Sequence, residues 1–126
     1  MSSQVVLLVE DNERNLKLAR DVLEYAGFTV LVATSGEEAV ATARRSAPDV
    51  ILMDLQLPGI DGHAALSLLR ADSTTGSIPV VALTAFAMAQ DRDRAMAAGF
   101  DGYLEKPINV RLFPDQVREH LRTEAP

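Results

Sequence analysis

The sequence predicts an α/β domain: a doubly wound, five-stranded parallel sheet flanked by five helices. Three observations carry this. Strand-like apolar runs alternate five times with stretches whose apolar residues recur at helical spacing. Two of those runs, residues 5–9 and 50–53, contain no polar alternation, as expected of strands buried on both faces. No internal repeat, low-complexity tract or linker breaks the alternation, so one domain is expected over residues 1–126, with its core over 5–121.

The elements follow in order. The first run ends in Glu10-Asp11, and Asn12 is placed to cap a helix. Leu16, Ala19, Val22, Leu23 and Ala26 form its apolar stripe, and Gly27 stands where a C-terminal cap belongs. Residues 28–33 are β-prone. Ser35 with Glu38 makes a capping-box pattern, opening a helix that carries Ala39, Val40 and Ala43 and closes at Pro48. The third strand ends on Asp54, with a Pro58-Gly59 turn beyond it. Asp61 caps a helix with Ala65, Leu66 and Leu69 inward, and residues 72–78 read as a polar loop.

Pro79 leads a fourth strand, residues 80–83, that ends in Thr84-Ala85. A helix over roughly 87–98 stops at Gly99. A short fifth strand, residues 102–104, leads to Glu105-Lys106-Pro107. Asn109 is the expected cap of a last helix with Phe113, Val117 and Leu121 on one face. Pro114 removes a backbone bond to Val110 there, so a bend or a late start is expected.

Composition narrows the function classes. Of 126 residues, 48% are hydrophobic and 24% charged, the balance of an ordinary globular domain. The absence of cysteine removes disulfides and thiolate metal sites. No apolar stretch approaches the length of a membrane span, and the N-terminus has no signal-peptide pattern, so the expected location is cytoplasmic. A net charge of -6, with no basic stripe, argues against direct nucleic-acid binding.

In a parallel sheet the polar residues that end the strands meet at one edge. Here those residues are Glu10 and Asp11, Asp54, Thr84 and Lys106. Asp54 on its own could equally be a turn cap, and Thr84 a β-prone filler. Together they form a cluster with too much negative charge. Two carboxylates about 5 Å apart repel by roughly 3 kcal/mol at an effective dielectric near 20. Lys106 offsets one charge, and a hard divalent cation on oxygen ligands, magnesium, would offset the rest. Such a cluster suits phosphoryl handling. Asp54 would be the nucleophile, and Asp11, with Glu10 directly or through water, would hold the metal. Thr84 and Lys106 would each meet a phosphoryl oxygen.

Glu10-Asp11-Asn12, Asp54 with Leu57-Pro58 and Asp61-Gly62, Leu83-Thr84-Ala85 and Lys106-Pro107 resemble the receiver domain of bacterial two-component response regulators. The likeness runs from about Val5 to Leu121, and residues 83–88 resemble single-domain regulators of the bacterial cell-cycle type. The resemblance implies a flavodoxin-like sheet of order 2-1-3-4-5. It implies a phosphoryl group passed to Asp54 from a phosphohistidine on a sensor histidine kinase or a histidine phosphotransfer protein. The magnesium ligands implied are Asp11, Asp54 and the backbone carbonyl of Gln56, with Glu10 acting through water. Thr84 and Tyr103 are implied as switch residues that reshape the face made by the fourth helix, fifth strand and fifth helix, where a downstream protein docks. Gln56 and Phe86 occupy positions that modulate hydrolysis, Phe86 being expected to shield the phosphoryl group from water. The protein would be no enzyme beyond catalysing its own phosphorylation and dephosphorylation, and would be a monomer or weak dimer. No output domain is expected beyond Leu121.

Plainer readings exist for several of these residues. Tyr103, Met88, Met96 and Phe100 could be core, residues 91–94 a solvated helix face, and His63 and His120 exposed helix positions. Rival functions are an aspartyl-nucleophile phosphatase, a flavin module, or a degenerate receiver that only binds proteins. Phosphatases of that kind carry Asp-x-Asp after the first strand, which is absent here. Glu10-Asp11 would repel a flavin phosphate, and no chemical position is vacant as degeneracy requires.

Overall fold

The computed structural model describes residues 4–57, 59–85 and 89–121. Strands and helices alternate: β1 (Val5–Val9), α1 (Glu13–Tyr25), β2 (Thr29–Ala33), α2 (Gly36–Ser46), β3 (Val50–Asp54), α3 (Gly62–Ala71), β4 (Val80–Thr84), α4 (Ala89–Ala98), β5 (Gly102–Glu105) and α5 (Phe113–Glu119). The strands are all parallel, in the order β2-β1-β3-β4-β5.

The uninterrupted apolar runs have the expected explanation. Side chains alternate across a strand, so β1 and β3 each feed two cores. Leu7, Val9, Ile51 and Met53 pack with Ala39 and Val40 of α2 and Ala65, Leu66 and Leu69 of α3. Val6, Leu8, Val50 and Leu52 face the other way, against Ala19 and Leu23 of α1 and Phe113 and Val117 of α5. A strand that must be apolar on both faces can accept a carboxylate only at its end. That is where Glu10 and Asp54 stand.

The caps are largely those the sequence announces. Asn12 accepts from the N–H groups of Arg14 and Asn15, Ser35 from Glu38, and Asp61 from Ala64. Gly27 follows α1 at a φ of +102°, a conformation that a side chain would oppose. Gly62 opens α3 under the end of β3. A Cβ there would lie 3.0 Å from the Asp54 carbonyl and 3.2 Å from the Leu55 Cα. The missing side chain lets α3 begin directly beneath Asp54.

Three expectations need correction. Asn109 does not cap α5; its side chain accepts from Arg111 and Leu112 in the preceding turn, and α5 starts at Phe113. Pro114 sits in the first turn of the helix, where its missing N–H costs nothing. This is the late start, with no bend required. Met96 is 46% exposed, because Ala95 is the residue of α4 that meets the core. His63 and His120 are half-buried, His63 edge-on to Phe100 with centroids 5.4 Å apart and His120 with its Nδ1 2.8 Å from the Gln116 carbonyl. The polar stretch 72–78 is anchored as well, since Thr75 and Ile78 are buried and the Thr75 hydroxyl donates to the Leu69 carbonyl.

Arg70 fastens the far end of the molecule. It donates to the carbonyls of Gly76 (3.1 Å), Ile78 (2.8 Å) and Gly99 (3.2 Å) and pairs with Asp101 at 2.7 Å. Asp101 in turn accepts from the Val80 N–H, so one guanidinium joins α3, β4, α4 and β5.

Candidate functional site

The register of the sheet sets the geometry. Val9 lies beside Met53, so the residues that follow them, Glu10 and Asp54, emerge as neighbours. Asp54 pairs with Leu83 and Thr84 with Glu105, which places Lys106 one step beyond the same edge. The Lys106 N–H donates to the Thr84 carbonyl at 2.8 Å and holds the start of this loop against β4. The Lys106–Pro107 peptide is cis.

Glu10 and Asp54 are almost fully buried, at 3% and 4% exposure, while Asp11 is open to solvent. One oxygen from each of the three lies within 4.8 Å of the others. The Lys106 ammonium bridges the buried pair, 2.5 Å from Glu10 Oε1 and 2.7 Å from Asp54 Oδ2. The other Asp54 oxygen, Oδ1, accepts from the Gln56 N–H at 2.8 Å. Glu10 Oε2 accepts from the Asn12 N–H at 3.2 Å. Asp54 is therefore oriented through both oxygens before anything binds, which removes a reorganisation cost from any reaction at that carboxylate.

The electrostatics show the shortage of positive charge. Burial, and then the adjacent Asp54 carboxylate, raise the Glu10 pKa, against the pull of Lys106 and the Asn12 N–H. Burial acts to lower the Lys106 pKa, yet the bonds and charges of Asp54 and Glu10 outweigh it and keep the ammonium charged to higher pH than usual. One cation thus faces three carboxylates.

The donors fit magnesium. All are oxygens, with no histidine or thiolate among them, and two are deeply buried while the third is open to water. They line an open cleft of about 640 Å³ with Asn12, Asn15, Gln56 and Lys106. Asp11, Asp54 and Glu10 are the residues that would hold the ion, and Gln56 stands at the cleft wall.

Thr84 is buried at 2% exposure at the end of β4. Tyr103 is half-buried and packs on the α2–α3–α4 side of the sheet. It lines a separate groove of about 560 Å³ with Arg92, Glu105, Asn109 and Gln116. Burial, helped by Asp91 and Glu105 and opposed by Arg92, pushes its phenol pKa up. Phe86 and Met88 lie outside the described residues.

Sequence reasoning missed three features. Lys106 engages Glu10 as well as Asp54, and Asn12 holds Glu10 by its N–H while its side chain caps α1. Asn15, one helical turn after Asn12, also reaches the cleft wall. The Asn12–Asn15 spacing was the available signal, since both residues then lie on the helix face above the strand end.

Known proteins are similar to this chain in sequence and in fold. The sequence model of the response regulator receiver domain matches residues 6–118. The polar-differentiation response regulator DivK of Brucella ovis is 43% identical over 116 residues, covering 92% of this chain and 94% of its own length. The receiver domain of a sensor histidine kinase from Pseudomonas aeruginosa PAO1, solved with a magnesium ion coordinated in its active-site cleft, superposes with a TM-score of 0.87 at 35% identity, covering 94% of this chain and 98% of that one. The chemotaxis response regulator CheY4 of Vibrio cholerae superposes with a TM-score of 0.89 at 28% identity, covering 95% and 100%. With the matched model spanning most of the chain and the DivK relative covered nearly end to end, the chain belongs to the response regulator receiver domain family of two-component signalling.

Proposed function

We propose that Asp54 accepts a phosphoryl group from a phosphohistidine on a sensor histidine kinase or a histidine phosphotransfer protein, and that the phosphorylated chain signals by protein contact. The single observation behind this reading is the state of Asp54. It is a buried carboxylate at a strand end, held through both oxygens, and within ligand distance of Glu10 and Asp11.

In the transfer, an Asp54 oxygen forms the bond to phosphorus as the bond to the donor imidazole nitrogen breaks, and that nitrogen keeps the electron pair. Magnesium, when bound, draws charge from the phosphoryl oxygens and relieves the repulsion among the carboxylates. Asp11 and Asp54, the Gln56 backbone carbonyl, and Glu10 through water are the ligands we assign. Lys106 already bonds Asp54, so it stands beside the point where negative charge grows and stabilises it. The Thr84 hydroxyl supplies a further donor from β4.

The same contacts make the switch. A phosphoryl group offers Lys106 and Thr84 oxygens that the bare carboxylate lacks, and a ligand can move an equilibrium only by such a differential contact. Thr84 moving to the phosphoryl group frees space for Tyr103 to turn inward, and the groove it lines between α4 and α5 changes shape for a downstream protein. Water attack on the acyl phosphate resets Asp54, with Gln56 and Phe86 as the modulating positions. The chain is no enzyme beyond this chemistry on itself, and it forms one domain over residues 1–126. No helix among the described residues is long and apolar enough to cross a membrane, in keeping with a cytoplasmic location.

The test is phosphorylation by acetyl phosphate with magnesium. Wild-type protein gains one acid-labile, hydroxylamine-sensitive phosphoryl group, and Asp54→Asn gains none. If the label is absent, or survives in Asp54→Asn, the assignment is wrong.

A further inference from the structure

The first turn of α2 reaches across to the loop that follows Asp54. Gly36 is buried against Ile60: a Cβ added at Gly36 would lie 2.6 Å from Ile60 Cγ1 and 2.7 Å from the Ile60 carbonyl oxygen. The next residue, Glu37, accepts from the Ile60 N–H at 3.4 Å. Its carboxylate also covers Gly59, where a Cβ would meet both oxygens at 2.7 Å. Gly59 has a φ of +74°, so conformation and this carboxylate each call for glycine there. The cap of α2 uses Ser35 and the Glu38 N–H, which leaves the Glu37 side chain to this second contact.

Both ends of the loop are fixed by other means. The Leu55 N–H donates to the Leu83 carbonyl at 3.0 Å, the Gln56 N–H donates to Asp54 Oδ1 at 2.8 Å, and Asp61 caps α3. Gln56 lies at the cleft wall, and Gly59 and Ile60 stand between it and that cap. Glu37 thus grips the loop from outside the cleft. A backbone carbonyl has no rotamer of its own, so its direction follows the loop that carries it. Holding the loop in advance reduces the entropy lost when a cation binds.

We propose that Glu37 is a positioning residue for the phosphoryl-transfer site, acting through Gly59 and Ile60 to hold the Gln56 carbonyl in place for magnesium. This rests on the assignment of that carbonyl as a magnesium ligand. Glu37 is exposed and stands outside the cluster of Glu10, Asp11 and Asp54, so its effect runs through the backbone. Glu38 shares the first turn of α2 and the same charge; the bond to Ile60 belongs to Glu37.

Magnesium titration of the full chain, followed by the Asp54 and Gln56 amide resonances, tests this without any turnover. Glu37→Ala should weaken binding by about threefold, less than the roughly tenfold or more of groups bonded directly to a ligand. Glu37→Gln keeps an acceptor oxygen and should bind close to wild type. So should Glu38→Ala, which removes an equal charge from the same turn. Gly59→Ala should weaken binding in the wild-type chain and do less in Glu37→Ala, where the carboxylate it displaces is gone. The strain at φ +74° is common to both backgrounds and cancels. In labelling by acetyl phosphate, Glu37→Ala should raise the magnesium concentration at half-maximal rate more than it lowers the rate at saturation.

A Glu37→Ala variant that binds magnesium as wild type does overturns the proposal. So does Glu37→Gln or Glu38→Ala as weak as Glu37→Ala, since the effect would then be one of charge alone. Equal losses from Gly59→Ala in both backgrounds overturn it too. A wild-type chain that binds no magnesium defeats the assignment of the site together with this one, whereas equal binding by wild type and Glu37→Ala defeats only the role of Glu37.

Discussion

Glu10 is one residue through which pH should act on this protein. Its carboxyl is buried first of all, and sits against Asp54, so it holds its proton above the ordinary 4.5. A group whose pKa is raised on folding contributes stability that is complete below the unfolded value and is lost as pH rises through the folded one. In EDTA, then, the Glu10 contribution to the unfolding free energy should fall as pH rises above 4.5, and Glu10→Gln should flatten that limb. Urea titrations at a series of pH values check this, and an unchanged profile in the variant would refute it. Magnesium affinity should move the other way, rising as Glu10 ionises, because only the charged carboxylate draws the cation, directly or through water. The same residue was legible in the sequence as a polar strand end. Its bond to Lys106 was not, since 96 residues separate the two and only the register of four strands brings them together.

At the level of elements, Gly62 is the most exacting position. A Cβ added there meets the Asp54 carbonyl at 3.0 Å and Leu55 Cδ2 at 3.1 Å, atoms at the base of the cleft. Gly62→Ala should cost about 1–3 kcal/mol as the helix is pushed off the strand. It should also slow labelling by acetyl phosphate, because the displaced backbone carries Asp54 and Gln56. Denaturant unfolding and labelling kinetics, measured together, test both; a variant of wild-type stability removes the argument. The Asp61-Gly62 pair announced the helix start from its cap chemistry, whereas the reason for the glycine appears only where α3 crosses under β3. The last helix teaches the converse. Asn109 was read as the cap and Pro114 as a residue that would bend the helix or delay its start, and the two act on one segment. Asn109 closes a turn through Arg111 and Leu112, and Pro114 then serves as the first-turn residue of a shorter helix.

Across the whole molecule, the carboxylate cleft and the groove that Tyr103 lines both border the β4–α4–β5 unit, and Arg70 fixes its opposite end. Its bonds to Ile78, Gly99 and Asp101 hold the start of β4, the end of α4 and the start of β5 in one place. Arg70→Ala should lower stability by about 2 kcal/mol, the worth of a charge-assisted bond set that includes the carbonyl of buried Ile78. It should also speed amide exchange at Val80 and Asp101, whose N–H groups depend on this corner. Hydrogen exchange by NMR is the check, and unaltered protection at both amides would dismiss the clamp.

The sequence by itself determined the layered α/β architecture and which residues end each strand, because burial on two faces forbids polar residues within a central strand and lets them appear only at its edge. It also determined most of the caps, whose hydrogen bonds span three or four residues. Tertiary structure alone decided that Lys106 is shared between Glu10 and Asp54, that Met96 faces water, that Glu37 covers Gly59, and that Arg70 joins four elements. Those outcomes depend on which strands lie side by side and on how far each helix is turned. Contacts between residues distant in the chain carry no local pattern from which they could be read.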